Sequence, residues 1–403
     1  MYKINTLFAC LLLVVLLVSC KERQVVHDAQ HHVILNVPSL DIRSISERDI
    51  IQIETFANSV SHIKLETTDE SLIGQISKIL FFDSLLIIQD RQTHSVLVFD
   101  RNGKFINTIG KRGQGPGEFA SLRRVLLDAD SRQIMVFDAA GRKMIHYDFY
   151  GNFIREVTNF AEGTVIRDII NLPNGHFLCY NFDQYPNHRF SGLWEVDSYG
   201  VYVRTHLPPN TGYPFIENRY NSYLFYLNDG VGLSAGDVDV IYHFRQGTLS
   251  AFLAYTIGNR TSVEDVRRGN MRENRNRIET FEYVRRGVTH EKGNYIFTEW
   301  ASGGDGHIRF MSVFSKRDND IIAVGLPTFH SSRLATFGNN IVPSNDVSSL
   351  VTVVDASQIS LYLENPDMSS ELARNKLLEL TYGMSEREIE DMNPIIQILH
   401  IRQ

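Results

Sequence analysis

A four-residue turn recurs along this chain at an almost constant interval. Asp100-Arg101-Asn102-Gly103 returns as Asp148-Phe149-Tyr150-Gly151 and as Asp197-Ser198-Tyr199-Gly200, with a weaker copy at Arg245-Gln246-Gly247. The glycines step by 48 residues (103 to 151), 49 (151 to 200) and 47 (200 to 247). Strand-forming residues flank each copy, as Val96, Val98 and Phe105 flank the first. Each copy therefore reads as the turn of a hairpin. Asn102-Gly103 predicts a tight primed turn, because such turns need residues that tolerate positive φ. A unit repeating at this period cannot bury its faces alone and must stack on its neighbours. With several strands per unit, it reads as the blade of a β-propeller.

Counted along the chain, the unit gives six blades. Blade one begins near Ile76, blade two runs from Leu122 to about Phe160, and blade three from Val165 to Pro208. Blade four runs from about Phe215 to Gly258, blade five from Val284 to Gly325, and blade six from about His330 to Glu364. Asp90 and Asp138 end equivalent second strands, again 48 residues apart. An open ring would leave unpaired edges. Val60 to Glu66 precedes the first blade and Ile395 to Ile401 ends the chain, so both are expected to close the ring in the last blade. The expected fold class is all-β: a six-bladed β-propeller of four-stranded antiparallel blades. A charged stretch, Thr261 to Tyr283, reads as a helical insertion between blades four and five, with Ser262 as its N-cap. Ser369 to Tyr382, stopped by Gly383, and Ser385 to Asp391 read as short helices near the C-terminus.

The N-terminus is of another kind. Lys3 precedes an apolar run from Leu7 to Val18, too short to span a membrane comfortably. It ends in Leu17-Val18-Ser19-Cys20, which resembles the lipobox of bacterial lipoprotein signal peptides. That resemblance implies removal of residues 1–19, acylation of Cys20, and a membrane anchor in the cell envelope, the outer membrane before the inner. Residues 20–50 are then a lipidated N-terminus and linker, and 51–403 the propeller. Of three cysteines, two lie in the first 20 residues, so Cys179 has no partner for an internal disulfide and is expected as a buried small hydrophobe. His27, His31 and His32 lack carboxylate or thiol neighbours at ligand spacing and read as part of the spacer. The net charge of −7 gives no reason to expect nucleic acid.

Three stretches carry a family resemblance: LETTDESLIG at Leu65 to Gly74, VFDRNGKF at Val98 to Phe105, and GQGPGEF at Gly113 to Phe119. With the Asn393-Pro394 that leads the terminal strand, they resemble the bacterial six-bladed β-propeller lipoproteins, relatives of the NHL-repeat propellers. The resemblance implies a fold and an envelope location, and no reaction. Some NHL-type propellers are metal-dependent lyases or lactonases that work in the central channel, which makes that the alternative function. The glycine-rich run lacks the Lys-Ser or Lys-Thr ending of a phosphate loop and reads as an inter-blade crossing. No nucleophile elbow GxSxG is present. No metal and no cofactor is expected.

One pattern suggests a binding site. A basic residue begins each inner strand: Lys78, Arg123 (beside Arg124), Arg167, Arg219, Arg285 (beside Arg286) and Arg333. A ring of like charge in a confined mouth focuses potential, and arginine presents a fork suited to carboxylate or phosphate. The expectation is a monomeric binding or interaction scaffold rather than an enzyme. Its ligand would be anionic, either a glycan or a protein partner.

Overall fold

The computed structural model describes residues 39–40, 50–161, 165–181, 192–207, 223–234, 240–257, 284–302, 308–328, 341–364 and 371–403. Cys20, Arg219, Arg333 and the charged stretch 261–283 lie outside them.

The chain enters through an N-terminal arm: β1 (Ser39–Leu40), β2 (Ile50–Gln52) and β3 (Ala57–Lys64). Blade one follows as β4 (Ile76–Phe82), β5 (Leu85–Asp90), β6 (Ser95–Asp100) and β7 (Phe105–Thr108). A crossing made of β8 (Lys111–Arg112) and β9 (Glu118–Phe119) leads to blade two. Blade two is β10 (Leu122–Asp128), β11 (Gln133–Asp138), β12 (Lys143–Tyr147) and β13 (Phe153–Val157). Blade three is β14 (Asp168–Asn171), β15 (Phe177–Asn181), β16 (Gly192–Val196) and β17 (Tyr202–Leu207). Blade four is β18 (Leu224–Leu227), β19 (Gly230–Leu233), β20 (Val240–Arg245) and β21 (Thr248–Ala254), followed by the short β22 (Thr256–Ile257). Blade five is β23 (Val284–Lys292), β24 (Tyr295–Ser302), β25 (Ile308–Ser315) and β26 (Asp320–Thr328).

Blade six is assembled from both ends of the chain. Its strands run β27 (Ser349–Val354), β28 (Ile395–Ile401), then β3, all antiparallel. On the inner side of β27, among the described residues, an isolated bridge pairs Ile341 with Thr352. The ring thus closes through the two segments the sequence singled out. Helices α1 (Ala356–Glu364), α2 (Glu371–Leu380) and α3 (Glu386–Glu390) fill the connection from β27 to β28. The last two were expected. The first falls where the sequence reading extended blade six to Glu364, and Asp355 explains it. Its carboxylate accepts from the Gln358 backbone N–H and the Ser357 hydroxyl, as a helix-capping residue does.

Packing alternates along the inner strands of the blades. In blade one, Leu80, Ile87, Val96 and Val98 face blade two, while Ile79, Phe81, Leu86, Ile88, Leu97 and Phe99 face blade six. Both faces are buried, so the strands read as unbroken apolar runs. The same rule yields further cores between blades two and three, three and four, four and five, and five and six.

The recurring turn differs from expectation. Only the glycine has positive φ in the first three copies: 84° at Gly103, 85° at Gly151 and 74° at Gly200. The Gly103 N–H donates to Asp100 O at 3.0 Å, and the strand shifts register between Val98 and Phe99. This is a type I turn followed by a left-handed glycine and a bulge, not a primed two-residue turn. The aspartate sets it, since Asp100 Oδ1 accepts from the N–H groups of Asn102 and Lys104. The primed turn occurs at the weaker copy, where Gln246 (φ 48°) and Gly247 (φ 80°) join Arg245 to Thr248.

Candidate functional site

The inner strands of blades one to five and the segment around Ser344 of blade six meet at the axis, and among the described residues side chains largely fill it. Residues of all six blades, among them Lys78, Arg124, Asp168, Tyr226, His290 and Ser344, enclose a cavity of about 20 Å³. That holds about one water.

Hydrogen bonds stitch the plug around the ring. Lys78 Nζ donates to Val125 O at 3.1 Å and stands 5.7 Å from the Tyr226 ring centre. Gln89 accepts from the Val125 N–H. Arg124 Nε meets Asp168 Oδ1 at 2.5 Å, and Asp168 also accepts from the backbone N–H groups of Ile169, Tyr223 and Leu224. Tyr226 donates to Asn171, and Ser234 pairs with Thr289. Lys292 Nζ donates to Ser344 Oγ and to Asp346 O, and Asn345 exchanges both bonds with the Phe81 backbone.

Burial governs the titration here. It pushes Lys78 down to about 7, with the Arg124 charge adding to it and Asp168 opposing. It lowers Lys292 to about 8, against the pull of Asp346 and Glu291. It holds His290 at about 3, helped by Lys292, so that imidazole is neutral.

The predicted basic residues occupy two levels. Lys78 pairs with Gln89, and Arg124 with Phe137, each just before the strand-ending Asp90 or Asp138. Asp168 pairs with Tyr180, just before Asn181, so it holds the equivalent position in blade three. The inner level in these blades therefore reads Lys78, Arg124, Asp168. Arg123 and Arg167 stand one residue earlier. Burial lowers Arg123, and the nearby charges of Arg124 and Arg167 lower it further. Its Nε is buried without a hydrogen-bond partner among the described residues. Arg285 lies on β23, opposite Ala301, and its side chain is outside the description. The bulges at Ile76/Lys78 and Leu122/Arg124 create the two levels, and no residue type announces them.

The family motifs meet at a second place. Asn393 accepts from the Ile73 N–H through its side chain, donates its side-chain amide to Glu66 O and Ser71 O, and donates its backbone N–H to Thr67 Oγ1. Glu66 in turn accepts from the Phe105 N–H and donates its own N–H to Gly103 O. Three stretches distant in sequence thus form one latch at the closure. Beside it opens a cleft of about 630 Å³, lined in part by Lys64, Glu66, Lys104, Arg387, Glu388 and Asp391. The glycine-rich run is an inter-blade crossing, as expected. Its Gly115 N–H donates to Glu118 of the same loop, which also pairs with Lys111, so a protein carboxylate fills the place a phosphate would take. Among the described residues, no group of three or more His, Cys, Asp or Glu is placed to hold a metal ion.

Solved structures share the fold. A candidate exported protein of Bacteroides fragilis aligns at TM-score 0.73 and 16% identity over 91% of this chain and 100% of its own. A DUF4221-family member from Bacteroides vulgatus aligns at 0.49 and 13% over 86% and 97%. Virginiamycin B lyase of Staphylococcus aureus reaches only 0.38 at 11% identity, over 73% and 81%. No curated protein matches. Residues 37–400 match the family described as a domain of unknown function, DUF4934, and the chain belongs to it.

Proposed function

We propose that this chain is an envelope-anchored propeller lipoprotein acting as a binding scaffold, with an anionic ligand received at the mouth above Lys78 and Arg124. The observation that carries the reading is the charge balance there. Lys78, Arg123, Arg124 and Arg167 lie within electrostatic reach of one another or of Asp168. Asp168 is already engaged by Arg124 and three backbone N–H groups, and Arg123 keeps a buried Nε to offer. The plug below excludes deep entry, so the ligand would sit on the mouth and present carboxylate or phosphate to Arg123 and Arg167. Lipidation at Cys20 and export, in keeping with the likeness to a candidate exported protein, complete the reading.

Titration calorimetry with oligogalacturonate, against a neutral oligosaccharide, tests the mouth. Binding that weakens with salt and falls ~10-fold or more in Arg123→Ala is expected. Equal affinity for the neutral sugar, or no change in the variant, refutes it. Labelling with a palmitate analogue should mark the wild type and not Cys20→Ala.

A further inference from the structure

We propose that the axial cavity holds a single chloride ion, paired with the Lys78 ammonium, below the mouth that receives the larger ligand. The site is independent of that mouth. Charge, hydrogen-bond donors and size each identify its occupant.

The carboxylates around the cavity are already taken. Asp168 pairs with Arg124 at 2.5 Å, and Glu291 with Lys316 at 2.7 Å. Asp346 lies within electrostatic reach of Lys292. Lys78, 8% exposed, is left over. Among the described residues it has the Val125 carbonyl and, at 5.7 Å, the face of the Tyr226 ring. A buried ammonium without a counter-ion must lose its proton or gain an anion.

Donors point the same way. An ammonium can donate three bonds. Lys78 donates to Val125 O, and Lys292 to Ser344 Oγ and Asp346 O, so both keep N–H groups to spare. His290 lines the cavity and is 4% exposed, and its Nε2 has no hydrogen-bond partner among the described residues. Glu299 stands 3.9 Å from that nitrogen, too far to accept. The oxygens of Asp168 and Glu291 are engaged by Arg124, Lys316 and backbone N–H groups. The occupant must therefore accept bonds from several directions and bring a negative charge. A space of about 20 Å³ admits a halide and excludes carboxylates, phosphate and sulfate.

The test is equilibrium urea unfolding of the full chain at fixed sodium and ionic strength, with chloride replacing gluconate from ~1 to ~300 mM. At ~pH 6 Lys78 holds its proton, and the wild-type midpoint should rise with chloride. At ~pH 9, above the Lys78 pKa of about 7, the rise should largely vanish. Arg124 on β10, Asp168 on β14, Tyr226 on β18 and His290, Glu291 and Lys292 on β23 share the cavity with Lys78. Of these, Lys292, at about 8, also titrates in that window. Lys78→Met separates the two lysines and should abolish the rise at ~pH 6. Arg123→Ala, at the mouth, should keep it. A wild-type midpoint indifferent to chloride overturns the proposal and leaves water in the cavity. So does a rise of equal size at both pH values, which needs no variant to read. A rise that survives in Lys78→Met overturns it too, as does one lost in Arg123→Ala, which would move the effect to the mouth.

Discussion

Blades one to three and blades four to six share one architecture and are held together differently. In the first two blades a local code repeats. Asp90 accepts from the N–H groups of Gly74 and Gln75, and Asp138 from those of Ala120 and Ser121, so each aspartate ties the entry of its own inner strand. The Asp100, Asp148 and Asp197 turns repeat their hydrogen bonds through all three. The second half relies on segments remote in sequence: β3, β28, the arm and the Asn393 latch. Local codes cost little chain entropy, whereas closure brings residues more than 300 positions apart into register and must be compensated by many simultaneous bonds. Outer edges follow the division only in part: the arm covers β26 and β28, whereas β7, β13, β17 and also β21 of blade four have no outer neighbour among the described residues.

The closure is where this contrast breaks most easily. Asn393, 1% exposed, makes four bonds to the loop 66–73. Asn393→Ala should cost ~3–5 kcal/mol in urea unfolding, since several buried backbone groups lose partners together. Gly103→Ala should do comparable damage, because a Cβ there would lie 2.0 Å from Lys64 O of the closing strand. If both variants unfold at the wild-type midpoint, the closure is not the weak point. Next in size is Ile51→Ala, which removes an arm side chain 4% exposed in the core between blades five and six. A loss of ~2–4 kcal/mol is expected, with faster amide exchange in β26 and none of that change in β7, β13 or β17. Uniform acceleration around the ring would show that the two halves do not differ.

What the sequence reveals follows the same division. The Asp-x-x-Gly period and the two closing strands could be read because each depends on local residue types. The turn type could not be read at Asn102-Gly103, since the aspartate two residues earlier decides it through Oδ1. The basic mouth was legible as charge but not as register. Two bulges place Lys78 level with Arg124 and leave Arg123 one step above. The ion pair of Arg124 with Asp168 spans neighbouring blades, so no single repeat contains it. β1 was hidden in what read as linker because a two-residue parallel pairing has no periodicity to detect.

Titration separates two groups within the regular half. Lys78, 8% exposed, has its folded pKa lowered from 10.5 to about 7, so the unfolded chain holds more protons between those values. Stability should therefore rise with pH across that window, by ~2–4 kcal/mol, and Lys78→Met should flatten the rise. Glu195 in blade three runs the other way. Burial alone would raise it, but hydrogen bonds from His176, His206 and Arg204 hold it at about 2. Its contribution, ~2–3 kcal/mol, is present above its usual 4.5 and is lost as pH falls toward 2. Glu195→Gln should remove that acid limb and leave the alkaline one. A single variant that removes both limbs would mean the two groups are coupled.

The smallest expected effect isolates the backbone from the packing. Gly175 adopts φ 78° in the turn between β14 and β15, and a Cβ there would meet nothing within 4 Å. Gly103 has nearly the same φ, 84°, but is pressed against the closing strand. Gly175→Ala therefore carries only the left-handed penalty, ~1 kcal/mol, whereas Gly103→Ala adds the clash. The difference between the two midpoints measures how tightly the first hairpin seats on β3. A Gly175→Ala loss equal to that of Gly103→Ala would mean that conformation alone sets the cost. The repeating turn would then contribute the same at the closure as anywhere else in the ring.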